Sequence, residues 1–401
     1  IKKIIFNLNS MQTLRILLKA KFSFKIGTKV DLLIWTGWEN KEIFNNLFKK
    51  INYDYIERPT DVINIPYLFV AIFLKIIKGQ SIFINYFKTA VFFSKPKILL
   101  TTYDNYSVFY KFRKILNVET GFIQNGHRFP YMNYLYNYNK KINYDKKNNY
   151  VDHMFVYGKN IQNELKKYIN GKFYFIGSFR NNSISKPNNK ISKDKSSIIF
   201  ISQFRVQNSN TTPIPDGKIL KLLDEYCLKK EIKLKIMCFC SPHIKRGRGK
   251  ENFKEEINYY KNLKLRTNYK LLIRKNFYDS YRILQKENLI ITENSALGYE
   301  MLALGKKVIF FPIRKDDFSP KGANHFGWPL NSGKSGPFWL NYYSPKKLFE
   351  KIEKIRLMNK LIWNDISKKY IKNIINFDYK NKILVQTIKK QINEYKKNSS
   401  K

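Results

Sequence analysis

The clearest pattern of apolar and polar positions predicts a strand, a loop, a helix and a second strand. Two short apolar runs, Leu289–Ile291 and Val308–Phe311, have the length and composition of buried strands. Between them, Leu297, Met301 and Leu304 recur at the i, i+4 and i+7 spacing of an amphipathic helix. Units of this kind build parallel sheets that are covered by helices.

The loop before this helix is a predicted phosphate site. Asn294 or Ser295 is placed to cap the helix, and Gly305 stands where a C-terminal glycine belongs. Unpaired N–H groups at a helix N-terminus attract phosphate, and both cap candidates add side-chain donors. Glu300, about a turn and a half further on, is placed to accept hydrogen bonds from ribose hydroxyls. The alternative is a capped helix with a surface glutamate, because this serine–glutamate spacing is a weak pattern.

The rest of the chain repeats the alternation of apolar strands and amphipathic helices. Further strands are predicted at residues 29–36, 53–56, 97–102, 119–123, 152–157, 173–176, 196–202, 232–240 and 269–273. Helices are predicted at residues 41–50, 61–78, 81–93, 106–116, 160–168, 216–229, 251–263, 277–285, 345–358 and 361–397, the last with a break near Phe377. This order predicts an α/β protein with Rossmann-like parallel sheets.

A polar segment divides the chain. Residues 179–195 are rich in Asn, Ser and Lys and contain a proline, which is typical of a linker. We therefore expect a first domain at residues 1–178 and a second at 196–358. Residues 359–401 are expected to form C-terminal helices.

Polar residues follow two predicted strands of the first domain. Ligands of open parallel sheets bind beyond the carboxyl ends of the strands. Asp104 follows one strand and is a candidate catalytic residue, although it would also serve as a helix cap. The next strand is followed by the candidate acceptor-binding and catalytic residues Asn125, Gly126, His127 and Arg128.

Basic residues follow two predicted strands of the second domain. Arg205 comes after residues 196–202, and His243, Lys245 and Arg246 come after residues 232–240. These side chains match the charge of a diphosphate, although a solvated basic loop would have the same composition.

A glycine- and aromatic-rich segment follows the strand at Val308–Phe311. Residues 313–343 contain Trp328 and Trp339, whose faces would pack on a sugar ring. His325 lies in the same segment and is a further candidate donor contact.

The helices predicted at residues 61–78 and 81–93 are crowded with aromatic residues. They contain Tyr67, Phe69, Phe73, Phe83, Tyr86, Phe87, Phe92 and Phe93. These side chains either pack in the core or form a surface that faces a membrane or an acceptor. The apolar run at residues 63–77 is shorter than the roughly 20 residues needed to span a bilayer.

The chain is strongly basic, with 75 Lys and Arg against 30 Asp and Glu and a net charge of +45. Part of this charge reflects a bias towards Lys, Asn, Ile, Tyr and Phe, which AT-rich codons supply, and the charge is spread along the chain. The remainder favours nucleotide-linked substrates and peripheral contact with anionic membrane. Nucleic acid is not favoured as a partner, because no recognisable RNA-binding motif accompanies the tyrosine- and lysine-rich residues 131–150, which are expected to form a loop or lid.

The cysteines indicate a reducing compartment. Cys227, Cys238 and Cys240 are an odd number without secretory context, and no fitting His or Cys cluster accompanies them as a metal site. We expect a cytoplasmic protein without a cofactor, held peripherally at the inner face of the membrane.

Four patches resemble the family of surface carbohydrate biosynthesis proteins. They are TENSALGYEMLALGKKVIFFP with the following FGWPL and GPFW, GFIQNGHR at Gly121–Arg128, and ISQFR at Ile201–Arg205. The resemblance implies a GT-B architecture, in which two Rossmann-like domains face a cleft and a C-terminal helix crosses back to the first domain. It also implies a glycosyltransferase of bacterial surface polysaccharide synthesis.

The functional hypothesis is therefore a metal-independent glycosyltransferase. The second domain would bind a nucleotide-sugar, and the first would bind a glycan or lipid-linked acceptor. Helix N–H groups and basic side chains would meet the charge of the leaving group, and Asp104 or His127 would act as general base. One alternative is a nucleotide-sugar 2-epimerase of the same fold, which needs acidic groups lining the cleft. Another is a non-enzymatic protein that binds nucleic acid or a membrane surface. Within the transferase class, a polymer transferase of the glycerol-phosphate type on the same scaffold is a further alternative.

Overall fold

The computed structural model describes residues 20–57, 61–127, 146–183, 196–204, 216–244, 250–276, 278–313 and 325–399. In the first half of the chain the strands are β1 (Lys21–Ser23), β2 (Leu32–Thr36), β3 (Tyr53–Glu57), β4 (Val62–Asn64), β5 (Ile98–Thr101), β6 (Glu119–Ile123), β7 (Tyr150–Val156) and β8 (Asn170–Phe175). The helices are α1 (Lys41–Leu47), α2 (Ile65–Lys78), α3 (Ile82–Ser94), α4 (Phe112–Leu116), α5 (Lys159–Leu165) and α6 (Phe179–Asn182).

The second half continues the alternation. Its strands are β9 (Ser197–Ile201), β10 (Lys233–Met237), β11 (Lys270–Leu272), β12 (Leu289–Thr292), β13 (Lys307–Phe310), β14 (Ser335–Gly336) and β15 (Trp339–Leu340). Its helices are α7 (Asp216–Lys229), α8 (Lys250–Asn262), α9 (Asp279–Gln285), α10 (Ala296–Ala303), α11 (Pro345–Leu357), α12 (Lys360–Ile371) and α13 (Lys382–Ser399).

Two large parallel sheets result from this alternation. The first has the order β3-β2-β5-β6-β7-β8 with every pair parallel, and the second has the order β11-β10-β9-β12-β13-β15-β14, in which only the β14–β15 pair is antiparallel. Strands β2, β5, β6, β9, β12 and β13 are buried along their whole length. Helices on both faces explain why most of these strands are continuous apolar runs.

The C-terminal residues cross back to the first sheet, as the family resemblance implied. A β-bridge joins Gly177 to Phe377, and the N–H of Asn376 donates to the carbonyl of Tyr157 at 2.8 Å. Helix α13 then packs Leu384, Ile388 and Ile392 into the apolar cluster under the first sheet. The predicted break near Phe377 is confirmed, because α12 ends at Ile371 and α13 begins at Lys382.

Some predicted boundaries are wrong for identifiable reasons. The helix expected from residue 61 begins at Ile65, because residues 62–64 pair with β1 as strand β4 and Asn64 caps the helix. The helix expected at residues 106–116 is divided into a 3₁₀ turn at Ser107–Lys111 and α4. Phe179–Asn182, at the start of the expected linker, forms α6. Most of the expected lid at residues 131–150 lies outside the described residues.

Candidate functional site

The loop between β12 and α10 is organised as the sequence indicated. Ser295 is the N-cap, and its Oγ accepts a hydrogen bond from the N–H of Leu297 at 3.3 Å. Asn294 is buried, and its Oδ1 accepts from the hydroxyl of Tyr299 at 2.7 Å. Gln203, at the end of β9, accepts from the N–H of Asn294 at 2.9 Å. The strand-end loops of β9 and β12 are therefore joined.

Glu300 faces the first sheet from α10 and is buried, so the alternative of a surface glutamate is wrong. Its Oε1 accepts from the hydroxyl of Tyr157 at 2.9 Å, and side-chain hydrogen bonds from Tyr281 and Ser178 also reach the carboxylate. Burial raises the pKa of Glu300, and these hydrogen bonds partly offset the increase. In this conformation protein hydroxyls hold the carboxylate that the sequence assigned to a ribose.

Tyr157, which sequence reasoning left without a role, is the partner of Glu300 from the first half of the chain. It directly follows β7 and is fully buried. Burial and the neighbouring Glu300 raise its pKa well above the usual value, so the phenol is a hydrogen-bond donor at neutral pH. The sequence could have pointed to Tyr157, because this residue carries a polar group directly after the carboxyl end of a buried strand.

A second contact joins the two sheets beside the first. The ring of His127 stacks on that of Tyr299, with 4.0 Å between centroids and 18° between planes. His127 is buried by this contact. The hydroxyl of Tyr299 accepts from the N–H of Gly327 at 2.9 Å, which ties the same contact to the segment after β13.

Asp104 lies next to the loop that follows β6. Its Oδ1 accepts from the N–H of Asn125 at 3.1 Å, and Gln124 donates to the carbonyl of Gly126 at 2.9 Å. Asp104 and Gln124 line a cavity of only about 20 Å³ together with Trp328. The structure therefore brings Asp104, Asn125, Gly126 and His127 together beyond the carboxyl ends of β5 and β6, where the first sheet meets α10. Arg128 lies outside the described residues.

A larger cavity of about 780 Å³ lies between the carboxyl ends of the two sheets. Its lining from the first half of the chain includes Glu39, Lys41, Glu42, Glu57 and Asp61, and its lining from the second half includes His243, Ile244, Lys275, Asn276, Tyr278 and Arg282. An adjoining cavity of about 760 Å³ shares Glu42, Tyr278 and Arg282 with it. Each is large enough for a nucleotide-sugar, because ligand sites commonly occupy about 300–1,000 Å³.

The two sides of this cavity differ in charge. The side from the second half presents His243, Lys275 and Arg282, whereas the side from the first half is mainly acidic. Lys21 and Lys41 are exceptions, and Nζ of Lys41 lies 2.7 Å from Oε1 of Glu57. Burial raises the pKa of Tyr278 to about 12, so this phenol also keeps its proton.

The turn after β11 supplies the cavity residues that sequence reasoning missed. Oδ2 of Asp279 accepts from the N–H groups of Lys275 and Asn276 at 2.8 and 3.0 Å. Asp279 also lies 3.2 Å from Arg282 and thereby orients that guanidinium at the cavity. The sequence could have pointed to Lys275 and Asn276, because both follow the strand predicted at residues 269–273.

The remaining predicted donor residues are dispersed. His243 is exposed at the large cavity, and its N–H donates to Oγ of Ser241 at 3.2 Å. His325 is half-buried, which lowers its pKa. Ser295 and Glu300 do not line the large cavity. Arg205, Lys245 and Arg246 lie outside the described residues.

The aromatic segment after β13 is mainly a core element. Trp339 is buried and stacks on Phe326, with 4.8 Å between centroids. Its expected contact with a sugar ring is therefore wrong, because both rings pack inside the protein. Trp328 lines the small cavity beside Asp104.

A buried polar cluster lies under the strand-end loops of β9 and β10. Oδ2 of Asp216 accepts from the N–H of Gln203 at 2.9 Å and lies 3.2 Å from Oγ of Ser202. Oε1 of Glu256 accepts from Ser202 and from the hydroxyl of Tyr260, each at 2.8 Å. Since Gln203 also holds Asn294, this cluster supports the loop before α10.

We expect Asp216→Asn to raise stability at alkaline pH. Burial, reinforced by Glu293, raises the pKa of Asp216 to about 7, so the native state keeps a proton that the unfolded chain releases near pH 4. The free energy of unfolding therefore falls as the pH rises from about 4 to 7, and the asparagine variant loses this slope. Its melting temperature should exceed the wild-type value on the order of 5 °C at pH 8 and match it near pH 4. The exposed Asp365→Asn is the control; equal pH slopes for Asp216→Asn and wild type would contradict the assignment.

Neither a metal cluster nor a membrane-spanning helix is found in the part of the chain that the structure describes. In these ranges no three His, Cys, Asp or Glu side chains are grouped so that they could hold a metal ion. Within the same ranges no helix has the length and apolar character needed to cross a bilayer.

Solved structures with the same architecture share little sequence with this chain. The wall teichoic acid polymerase TagF is 11% identical and aligns over 96% of this chain and 93% of its own, with a TM-score of 0.53. The UDP-GlcNAc 2-epimerase from Neisseria meningitidis is 15% identical over 90% and 99%, also with a TM-score of 0.53. The corresponding epimerase from Methanocaldococcus jannaschii is 13% identical over 90% and 99%, with a TM-score of 0.52. These likenesses show that the chain has the GT-B fold.

Sequence comparison identifies the family. A search of curated proteins found no match. A family profile described as "putative O-antigen biosynthesis protein" matches residues 121–392, which is more than half of the chain. The matched region contains the β6 loop, α10 and most of the C-terminal crossing. The chain therefore belongs to this O-antigen biosynthesis protein family, within surface carbohydrate biosynthesis.

Proposed function

We propose that the protein is a metal-independent glycosyltransferase that moves a sugar from a nucleotide-sugar to a surface polysaccharide or lipid-linked glycan. The observation that carries this proposal is the cavity of about 780 Å³ between two parallel sheets, with basic groups on one side. Family membership and the GT-B fold support a role in carbohydrate synthesis. Residues 196–358 would bind the donor, and residues 1–178 would bind the acceptor, with residues 179–195 between them.

The donor diphosphate is proposed to lie against the basic side of the cavity. Arg282 can form two parallel hydrogen bonds to phosphate oxygens, and Lys275 and His243 add donors nearby. As the sugar bond breaks, negative charge grows on the departing nucleotide, and fixed positive groups stabilise it. The predicted donor residues Arg205, Lys245 and Arg246 would add further positive charge around the departing nucleotide.

The acceptor hydroxyl requires a general base from the first domain. Asp104 and His127 remain the proposed candidates, and both are buried against the second domain in this conformation. An acceptor reaches them when α10 separates from the β6 loop. Domain separation of this kind is a common conformational step in enzymes with a cleft. Because nucleotide-sugars are cytoplasmic metabolites, the proposed reaction takes place in the cytoplasm, at the inner face of the membrane.

We expect Arg282→Ala to weaken the binding of nucleoside diphosphates by about tenfold or more, since a charged hydrogen bond contributes about 1.5–3 kcal/mol. Isothermal titration with UDP, GDP, CDP and dTDP would measure the affinity. Arg266→Ala is a matched control, because the two arginine side chains are 65% and 67% exposed and each is paired with an aspartate. Equal affinities of Arg282→Ala and wild type would show that Arg282 does not contribute to donor binding.

A nucleotide-sugar 2-epimerase is the second candidate function. The sequence indicated few acidic groups for such a reaction, whereas the structure brings Glu39, Glu42, Glu57 and Asp61 to one cavity. Epimerisation beside the nucleotide linkage needs groups that remove and return protons, and carboxylates can do this. Formation of an isomeric sugar without any acceptor would distinguish the epimerase from the transferase.

A further inference from the structure

Helices α2 and α3 present large apolar side chains to solvent. Helix α2 buries Tyr67 and Ala71 on one side, while Phe69, Phe73, Ile76 and Ile77 on the other are 70%, 61%, 77% and 60% exposed. Phe92 of α3 is 69% exposed and lies beside Phe93, whose ring stacks on Tyr67. We call Phe69, Phe73, Ile76, Ile77 and Phe92 the α2–α3 surface. Exposed apolar groups at such spacing on a surface helix indicate an interaction site.

The charge around the α2–α3 surface identifies its partner. Between Val62 and Tyr103 the sequence contains five lysines and no acidic residue, and of these lysines Lys97 is paired with Asp31 at 2.8 Å. Lys75 and Lys78 stand in the last turn of α2, beside Ile76 and Ile77. Lysines that flank inserted Phe and Ile side chains are the pattern of a helix that lies in the interface of an anionic membrane. A second copy of this chain is a poorer partner, because each copy carries a net charge of +45.

We propose that the α2–α3 surface docks the protein on an anionic lipid bilayer. Helix α2 has 14 residues and is therefore about 21 Å long, so it lies along the interface rather than crossing it. Its phenylalanine and isoleucine side chains enter the boundary between headgroups and acyl chains. The lysines remain at the level of the headgroups, where each adds about 1 kcal/mol of attraction to an anionic surface.

Docking in this way would hold the donor cavity close to the lipid. Asp61 and Val62 line the large cavity, and α2 begins at Ile65. The edge of the cavity therefore lies within about one helix length, ~21 Å, of the docked surface. If the proposed transferase function is correct, a lipid-linked acceptor can reach the cleft without leaving the membrane.

Vesicle binding tests the apolar part of the proposal. Wild-type protein should bind vesicles of phosphatidylcholine and phosphatidylglycerol in a 3:1 ratio, at about tenfold or higher affinity than Phe69→Ser/Phe73→Ser. Leu357→Ser/Leu361→Ser is the matched control, since these residues are 49% and 77% exposed elsewhere on the protein. The control should bind like wild type. Circular dichroism and melting temperatures would verify that all variants are folded.

A second pair of variants tests the charge. Lys75→Gln/Lys78→Gln should bind the same vesicles several-fold more weakly, whereas the exposed Lys368→Gln/Lys369→Gln should bind like wild type. Binding should fall with added salt and be weaker on vesicles of phosphatidylcholine alone. Equal losses in both lysine pairs would show attraction by overall charge and overturn the assignment to this surface.

Insertion can be observed directly with Phe73→Trp. Brominated lipids should quench its added fluorescence on vesicle binding, while Leu361→Trp should give no added quenching. Wild-type protein that does not bind the vesicles, or Phe69→Ser/Phe73→Ser that binds normally, would overturn the proposal. The proposal would also be overturned if wild-type protein did not bind vesicles but formed an oligomer that Phe69→Ser/Phe73→Ser does not form. The surface would then contact another copy of the chain. None of these measurements involves a nucleotide-sugar, so their outcome is independent of the transferase proposal.

Discussion

Glu300→Ala is expected to lower the free energy of unfolding by about 3 kcal/mol and to weaken nucleotide-sugar binding by about tenfold or more. The stability loss follows from the structure, because the hydroxyls of Tyr157, Tyr281 and Ser178 lose a buried acceptor. The affinity loss follows from the ribose contact that the sequence predicts for Glu300, which would form when α10 separates from the first sheet, because Glu300 does not line the large cavity in this conformation. Urea denaturation and isothermal titration measure the two effects separately.

Tyr157→Phe should have the opposite effect on affinity. The Tyr157 hydroxyl donates a hydrogen bond to Oε1 of Glu300 at 2.9 Å and would therefore compete with a ribose for the same carboxylate. Removing the competitor should strengthen nucleotide-sugar binding by about two- to tenfold, the equivalent of one net hydrogen bond. Opposite changes in Glu300→Ala and Tyr157→Phe would be hard to explain by loss of stability alone, since both variants lose buried hydrogen bonds.

A second buried glutamate provides the control for Glu300. Glu119 lies at the start of β6, and its Oε1 is 2.5 Å from Nε2 of His153. Glu119→Ala should also destabilise the protein. It should leave nucleotide-sugar affinity unchanged, because β6 begins at the amino-terminal ends of the strands, on the opposite side of the sheet from the cleft. Wild-type affinity in Glu300→Ala would mean that Glu300 only holds the two halves of the protein together.

Gly177→Ala is expected to cost about 3 kcal/mol or more and to release the C-terminal crossing. Gly177 has a φ of +71°, and a Cβ there would lie 1.9 Å from the carbonyl oxygen of Asn376. The backbone at this β-bridge would have to separate to admit a methyl group. Urea denaturation gives the energetic cost, and limited proteolysis would detect the released C-terminal helices.

Gly79→Ala is the matched control for the crossing. Gly79 has a similar φ of +66°, but a Cβ at this position meets nothing within 4 Å. Its substitution should therefore cost only the left-handed backbone strain, about 1–2 kcal/mol. The difference between the two variants isolates the contact with Asn376, and equal costs would show that this contact does not hold the crossing.

The fold was largely predictable because its signals are local. Continuous apolar runs such as residues 289–291 and 308–311 predicted buried parallel strands, and the stripe of Leu297, Met301 and Leu304 predicted α10. The start of α2 was missed because it depends on pairing between β4 and β1, whose residues are about 40 positions apart in the chain, as in the pair Lys21 and Val62. Strand pairing at such separation leaves no periodic signal.

The candidate site was predictable only in part, because its key contacts are long-range. The rule that ligands bind at strand ends drew attention to Asp104, Asn125 and Asn294, and the structure places all three in loops where the two sheets meet. Glu300 and Tyr157 are 143 residues apart, so no spacing rule could pair them. Composition also suggested that Trp339 faces a sugar, whereas its burial depends on Phe326 and Tyr370.

Transfer of a labelled sugar from a nucleotide to lipid would establish the proposed transferase activity. Purified protein would be incubated with UDP-, GDP-, CMP- and dTDP-linked sugars, each with and without a bacterial lipid extract. Label from one nucleotide class should enter the lipid-soluble fraction only when the extract is present, and the free nucleotide should be released in equal amount. An isomeric nucleotide-sugar formed without the extract would establish the epimerase instead. No consumption of any nucleotide-sugar under either condition would contradict the proposed function.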